Sequence, residues 1–178
     1  MSRTTFRSVL VAALLMSASG CGLMQTVGEG ARSTARAVFY TQLKTLHLDI
    51  NGRSAANNDA SDMRNLSVPT VVRVYQLRDG KAMERATYEE LLSASSTVLG
   101  DTLLEERSVV VVPQEGVQLN VPLDPEAQTI AVVALLRQPD TQSRSWRLLL
   151  SREQLQSERA RVIDLGDNSL SLRAVLEP

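Results

Sequence analysis

Apolar residues recur along this chain at two rhythms. In KTLHLDI, Leu46, Leu48 and Ile50 alternate with Thr45, His47 and Asp49. Successive side chains of a strand point to opposite faces, so the alternation predicts a strand with one buried side. VQLNVPL repeats it, with Val117, Leu119, Val121 and Leu123 inward and Gln118, Asn120 and Pro122 outward. Pro122 brings no N–H to a ladder, which predicts an edge strand or a bulge. LSLRAVL alternates again and puts Leu170, Leu172, Ala174 and Leu176 on one face. A second group is apolar on both sides: VVRVYQL (71–77), SVVVVP (108–113) and IAVVALL (130–136). These predict central strands covered on two faces. With WRLLL (146–150) and RVIDL (161–165) the set comes to about eight short strands separated by polar turns. The pattern predicts a mainly β chain folded as a two-sheet β-sandwich.

One or two short helices interrupt the strands. In TYEELLSASSTVLG, Thr87 is placed as an N-cap and Glu90 stands three residues on, a capping box. Tyr88, Leu91, Leu92, Val98 and Leu99 share one face at helical spacing, and Gly100 suits the stop. This helix is expected across an end or open face of the sandwich. A shorter candidate is SREQLQS, where Ser151 and Gln154 form a second capping box.

One connection is longer than folding requires. NGRSAANNDASDMRNLSVP, Asn51 to Pro69, joins two strands over 19 residues. Hairpin loops usually take about two to five residues, and long loops without internal structure tend to be functional or disordered. This one carries Asn57, Asn58, Asp59, Asp62, Met63, Arg64 and Leu66. Arginine and apolar anchors inside a polar rim suit a protein contact.

Composition removes several chemistries. Of 178 residues, 43% are hydrophobic and 22% charged, which fits one globular domain with a sizeable core. A formal net charge of -1 makes no electrostatic case for nucleic acid as a partner. A lone cysteine makes no internal disulfide, and a lone His47 supplies no zinc cluster. His47 projects from the polar side of its strand and has no G-x-S-x-G elbow to serve. The adjacent pairs Glu89–Glu90 and Glu105–Glu106 diverge on any regular element, so they read as solvated faces. Trp146 opens an apolar strand and is expected in the core or at its rim. No catalytic set and no metal site are expected.

The one cysteine has a place of its own. Arg3 and Arg7 precede eight consecutive apolar residues, Val9 to Met16, and then SASG, Ser17 to Gly20. This is the layout of a secretory signal peptide over residues 1–20. Eight apolar residues are too few to cross a bilayer core, which takes about 20 in a helix. Ala18-Ser19-Gly20-Cys21 resembles the lipobox of bacterial lipoproteins, although leucine is commoner at the place of Ala18. That resemblance implies no cofactor beyond a covalent lipid on Cys21: a diacylglycerol thioether on sulfur and an N-acyl chain on the new amine. Gly22 stands where lipoproteins kept in the inner membrane of enterobacteria often carry aspartate, which points to the periplasmic face of the outer membrane. Removing residues 1–20 leaves 17 basic against 20 acidic residues, a net charge of -3. Residues 21–42 then read as a lipidated tether running into a helix after Gly30, and residues 43–178 as the β-sandwich domain.

The order of these pieces carries a second resemblance. A lipobox, an early strand and a polar loop lead to PTVVRVYQL. The helix ATYEELLSASSTVLGDTL, then EERSVVVVPQEG, VPLDPEAQTIAVVALLR and SWRLLL follow. This arrangement resembles the TssJ family, outer-membrane lipoproteins of bacterial type VI secretion systems, over nearly the whole mature chain. The resemblance implies a transthyretin-like sandwich with added helical elements. It further implies a structural component, not an enzyme, that binds the periplasmic C-terminal region of TssM and through it TssL. In the family the loop between the first two strands is a main contact, which maps here onto Asn51 to Val68. Two rivals use the same residues. One is a transthyretin-like periplasmic lipoprotein that binds a small ligand or inhibits an enzyme, which would need a concave pocket with convergent polar groups. The other, a periplasmic hydrolase, lacks a catalytic set.

Overall fold

The structure is a computed structural model that describes residues 43–54, 56–57 and 67–174. Residues 1–42, with the expected signal peptide and tether, lie outside the described residues, as does Leu176. Among the described residues, eight strands form two four-stranded sheets. The first has the order β4-β1-β7-β8, built from β1 (Thr45–Gly52), β4 (Gly116–Pro122), β7 (Arg161–Gly166) and β8 (Ser169–Leu172). The second has the order β3-β2-β5-β6, built from β3 (Leu103–Val111), β2 (Thr70–Leu77), β5 (Thr129–Ala134) and β6 (Arg147–Ser151). The second sheet is antiparallel throughout, whereas β1 and β7 of the first run parallel.

The two rhythms of the sequence separate the two sheets. In β1 the buried Leu46, Leu48 and Ile50 pair with Val121, Leu119 and Val117 of β4, and their side chains face the second sheet. The outward side of the first sheet is polar. His47 Nδ1 lies 2.6 Å from Asn120 Oδ1 of the neighbouring strand. The second sheet is covered twice. Val72, Val74, Ile130, Val132 and Leu150 face the sandwich core, and all are buried. Its other face lies under two helices, α1 (Lys81–Arg85) and α2 (Tyr88–Leu99). Tyr75, Ala131 and Val133 are buried there, as are Met83, Tyr88 and Leu91 of the helices. Strands covered on both faces are apolar on both faces, which is why VVRVYQL and IAVVALL read as runs.

α2 begins as expected. Thr87 Oγ1 accepts from Glu90 N at 3.3 Å, and Glu90 Oε2 accepts from Thr87 N at 2.8 Å. Leu92 departs from the expectation and is 48% exposed. The helix kinks at Ala94 (φ -149°, ψ 46°), and Ser95 is buried instead. Arg73 Nη1 donates to the carbonyl of Leu91 at 3.0 Å, next to that kink. Such an inserted donor is a recognised cause of kinks. The second capping box, at Ser151 and Gln154, starts only a 3-10 turn, Arg152–Gln154. The short α1 has no apolar period long enough to announce it.

Three further expectations change. SVVVVP is not central: β3 lies at the edge of its sheet, and Val110 is 54% exposed. Glu105 and Glu106 are not free solvated acids. Gln76 Nε2 donates to Glu105 Oε2 at 2.7 Å, while Ser95 Oγ donates to Glu106 Oε2 at 3.2 Å. β8 ends at Leu172, and Ala174 is exposed beyond it. Pro122 ends β4 at the edge of the first sheet, where its missing N–H costs nothing.

Gly52 closes β1 under close backbone approach, because a Cβ there would stand 2.5 Å from the carbonyl oxygen of Val112. Gly52→Ala is expected to destabilise the domain by about 1–3 kcal/mol, read as a lower midpoint in urea unfolding. An unchanged midpoint would show that the β3–β4 turn moves aside freely.

Candidate functional site

The long connection leaves the first sheet at Gly52 and enters the second at Thr70, both at one end of the sandwich. Its base is stiff. Arg53 N donates to Leu165 O at 2.8 Å and so extends the pairing of β1 with β7. The Arg53 guanidinium donates to Asp164 Oδ2 at 3.2 Å, and Arg173 reaches the same carboxylate at 2.6 and 3.3 Å. Burial alone would raise the pKa of Asp164. The hydrogen bonds from Arg173 and Arg53 outweigh it and hold the carboxyl below the usual carboxylate range.

Asn57 is the expected contact residue that falls within the described residues. It is 3% exposed, and its φ of 54° lies in the left-handed region that Asn tolerates. Its Oδ1 accepts from Arg137 N at 2.8 Å. The side chain is thus spent inside the domain, tying the loop to the segment after β5. Beside it Ala56 is buried, and Ser67 Oγ donates to Ser54 O where the loop returns. Asn58, Asp59, Asp62, Met63, Arg64 and Leu66 lie outside the described residues, as does Cys21.

Next to the returning arm, β2 and β3 present an exposed apolar pair. Val71 and Val110 are opposite one another in the ladder, at 38% and 54% exposure. The sequence reading missed them, because a run of valines looks the same at an edge as at a centre. Other candidates have structural uses. Trp146 is 2% exposed, stands edge-on to Tyr88 with centroids 5.2 Å apart, and carries the Arg147 guanidinium 5.0 Å above its ring. Among the described residues, no group of three or more His, Cys, Asp or Glu is placed to hold a metal ion. What the arrangement offers is a long loop on a rigid base with an apolar edge beside it, which is the form of a protein contact.

Known proteins resemble this arrangement. Residues 44–168 match the T6SS-SciN family, described as "Type VI secretion lipoprotein, VasD, EvfM, TssJ". A chain in the structure of the T6SS protein TssM C-terminal domain (869-1107) from EAEC is 32% identical, with a TM-score of 0.67 over 74% of this chain and 99% of that one. A chain of the Type VI membrane complex is also 32% identical, with a TM-score of 0.70 and coverage of 74% and 99%. The T6SS lipoprotein TssJ1 from Pseudomonas aeruginosa is 23% identical, with a TM-score of 0.62 and coverage of 76% and 98%, a likeness of fold. No curated protein sequence matches the chain.

The Asp164 cluster sets a pH dependence. A carboxylate whose folded pKa is depressed contributes stability that is full above its unfolded pKa and lost as pH falls through the folded value. Stability is expected to decline as pH drops below about 4, and Asp164→Asn should flatten that part of the curve. Equal acid sensitivity in the variant, followed by urea midpoints across pH, would remove Asp164 as its source.

Proposed function

The chain belongs to the TssJ family of type VI secretion lipoproteins, and from that premise we propose that it is a docking component of the secretion system's membrane complex. A lipid on Cys21, exposed by removal of residues 1–20, holds it at the periplasmic face of the outer membrane. Residues 21–42 form the tether. The sandwich presents its long loop to the periplasmic C-terminal region of TssM and, through TssM, engages TssL. The observation that carries this reading is the 32% identity to chains found in structures of the TssM C-terminal domain and of the Type VI membrane complex, each covered over 99% of its length.

The fold suits a mechanical part. The described chain enters the domain at Leu43, and the loop departs after Gly52. One strand, β1, joins the two points, flanked on both sides by β4 and β7. Tension between membrane and partner therefore runs along the backbone of β1, which its neighbours brace on both sides. At the other end of the linkage, each buried methylene of an acyl chain contributes about 0.8 kcal/mol, and several chains hold where one does so only marginally. No covalent chemistry is needed from the folded domain.

Cys21→Ser, which removes the acyl acceptor, is expected to leave the protein soluble in the periplasm. Recovery of that variant with outer-membrane fractions would refute the anchor. Replacing Met63, Arg64 and Leu66 by Ala is expected to weaken a TssM pulldown by about tenfold or more. Full binding by the triple variant, with an unchanged unfolding midpoint, would move the contact off the loop.

A further inference from the structure

The helix-covered face of the second sheet holds a cavity of about 250 Å³. Arg85 and Glu89 border it from the junction of α1 and α2, and Arg144 and Trp146 from the segment before β6. The fold accounts for one arginine nearby. Arg147 donates to the carbonyls of Met83, Glu84 and Ala86, and so caps the last turn of α1. Two more arginines border the cavity. Arg144 repeats the cap with a single bond from Nη1 to Glu84 O at 2.9 Å. Its charge also acts on Arg147, whose pKa is lowered first by burial and then by Arg144. Arg85 is exposed, and its side chain makes no hydrogen bond or ion pair among the described residues.

Arg144 is held in place deliberately. Its φ is 57°, a left-handed conformation unfavourable for a long side chain. A turn built on Asp140 imposes it: the Asp140 carboxylate accepts from Gln142 N at 2.9 Å, Ser143 N at 3.1 Å and Ser143 Oγ at 2.7 Å. Arg144 N then donates to Asp140 O at 3.0 Å. Two arginines, Arg85 and Arg144, thus line the cavity with one acidic residue, Glu89. A lining with more basic than acidic residues favours an anionic acceptor.

Size and place narrow the occupant. Small-molecule sites usually measure about 300–1,000 Å³, so this hollow takes one side chain rather than a metabolite. It also stands next to the base of the long loop. Tyr88 Oη donates to Leu136 O at 2.7 Å, and the next residue, Arg137, donates its N–H to Asn57. We propose that the cavity receives an aspartate or glutamate side chain of the same protein that the long loop engages, an inference resting on the partner assignment above. The carboxylate bridges Arg85 and Arg144, and Trp146 forms the wall.

Trp146 is the only tryptophan in the chain, so its emission reports on the cavity directly. The mature protein is titrated with an N-acetylated, C-amidated triglutamate peptide and with its triglutamine counterpart. A saturable change in emission is expected with the first and none with the second. Arg85→Gln combined with Arg144→Gly should weaken that response by at least about tenfold. Glycine adopts the φ of residue 144 without strain, and Arg85→Gln alone, which breaks no contact of the fold, should lose several-fold. Equal responses to the two peptides, or a response untouched by these substitutions, overturns the carboxylate site. The double variant should also bind the TssM C-terminal region about tenfold more weakly than the unmodified protein. Unchanged affinity overturns the assignment of the carboxylate to that partner. The Ala triple variant of the loop should keep its peptide response, so failure of the partner reading shows in the pulldown and failure of the cavity in the titration.

Discussion

The arrangement of the two sheets depends on how their buried polar groups are satisfied where the chain passes from one sheet to the other. Arg152 is 3% exposed, and its guanidinium donates to the carbonyls of Asp124, Ala127 and Leu43 at 2.9, 2.7 and 3.1 Å. Gln76, equally buried, donates to Pro122 O at 2.8 Å and accepts from Asp124 N at 2.7 Å. Together they tie the β4–β5 crossover to β2, to the 3-10 turn after β6 and to the entry of β1. A buried cation is costly unless hydrogen bonds compensate it, and carbonyls stripped of their donors cost about as much. The stitch is therefore strong in one geometry and weak in every other, which fixes one sheet against the other.

The opposite end of the sandwich is built differently. Its polar groups face outward or hold the loop: Arg53 on Asp164, Asn57 on Arg137. Apolar side chains remain in solvent there, at Val71 and Val110. The end where the chain enters is closed by hydrogen bonds, and the end that carries the loop has surface to offer. β1 joins them through the middle of a sheet. The proposed lipid and the proposed partner thus pull on a single strand supported from both sides.

The helical layer completes the second sheet and brings the cavity with it. α1 is too short to be stable by itself and is held by Arg147, which lies across Trp146. Tyr88 meets the same ring edge-on and reaches Leu136. A single aromatic contact therefore links the helices, β6 and the segment that grips the loop. The hollow beside it follows from this packing, and basic residues outnumber acidic ones in its lining.

Much of this was legible in the residues alone. Alternation in KTLHLDI and VQLNVPL marked strands wet on one side, and unbroken runs marked strands covered on both. Thr87 and Glu90 announced α2, because capping is settled within four residues. The period of a strand reports its two faces, a local property. It does not report its neighbours, so SVVVVP read as central although β3 lies at an edge. Glu105 and Glu106 read as solvated because their partners, Gln76 and Ser95, stand far off in sequence. Asn57 read as a contact within a polar loop, and only folding turned its carboxamide inward to Arg137. The cavity joins Arg85 to residues some sixty positions away, a juxtaposition that no local pattern encodes. What composition and spacing determined was which elements form and which faces they bury. Which elements lie side by side, and what gathers between them, was decided by long-range packing.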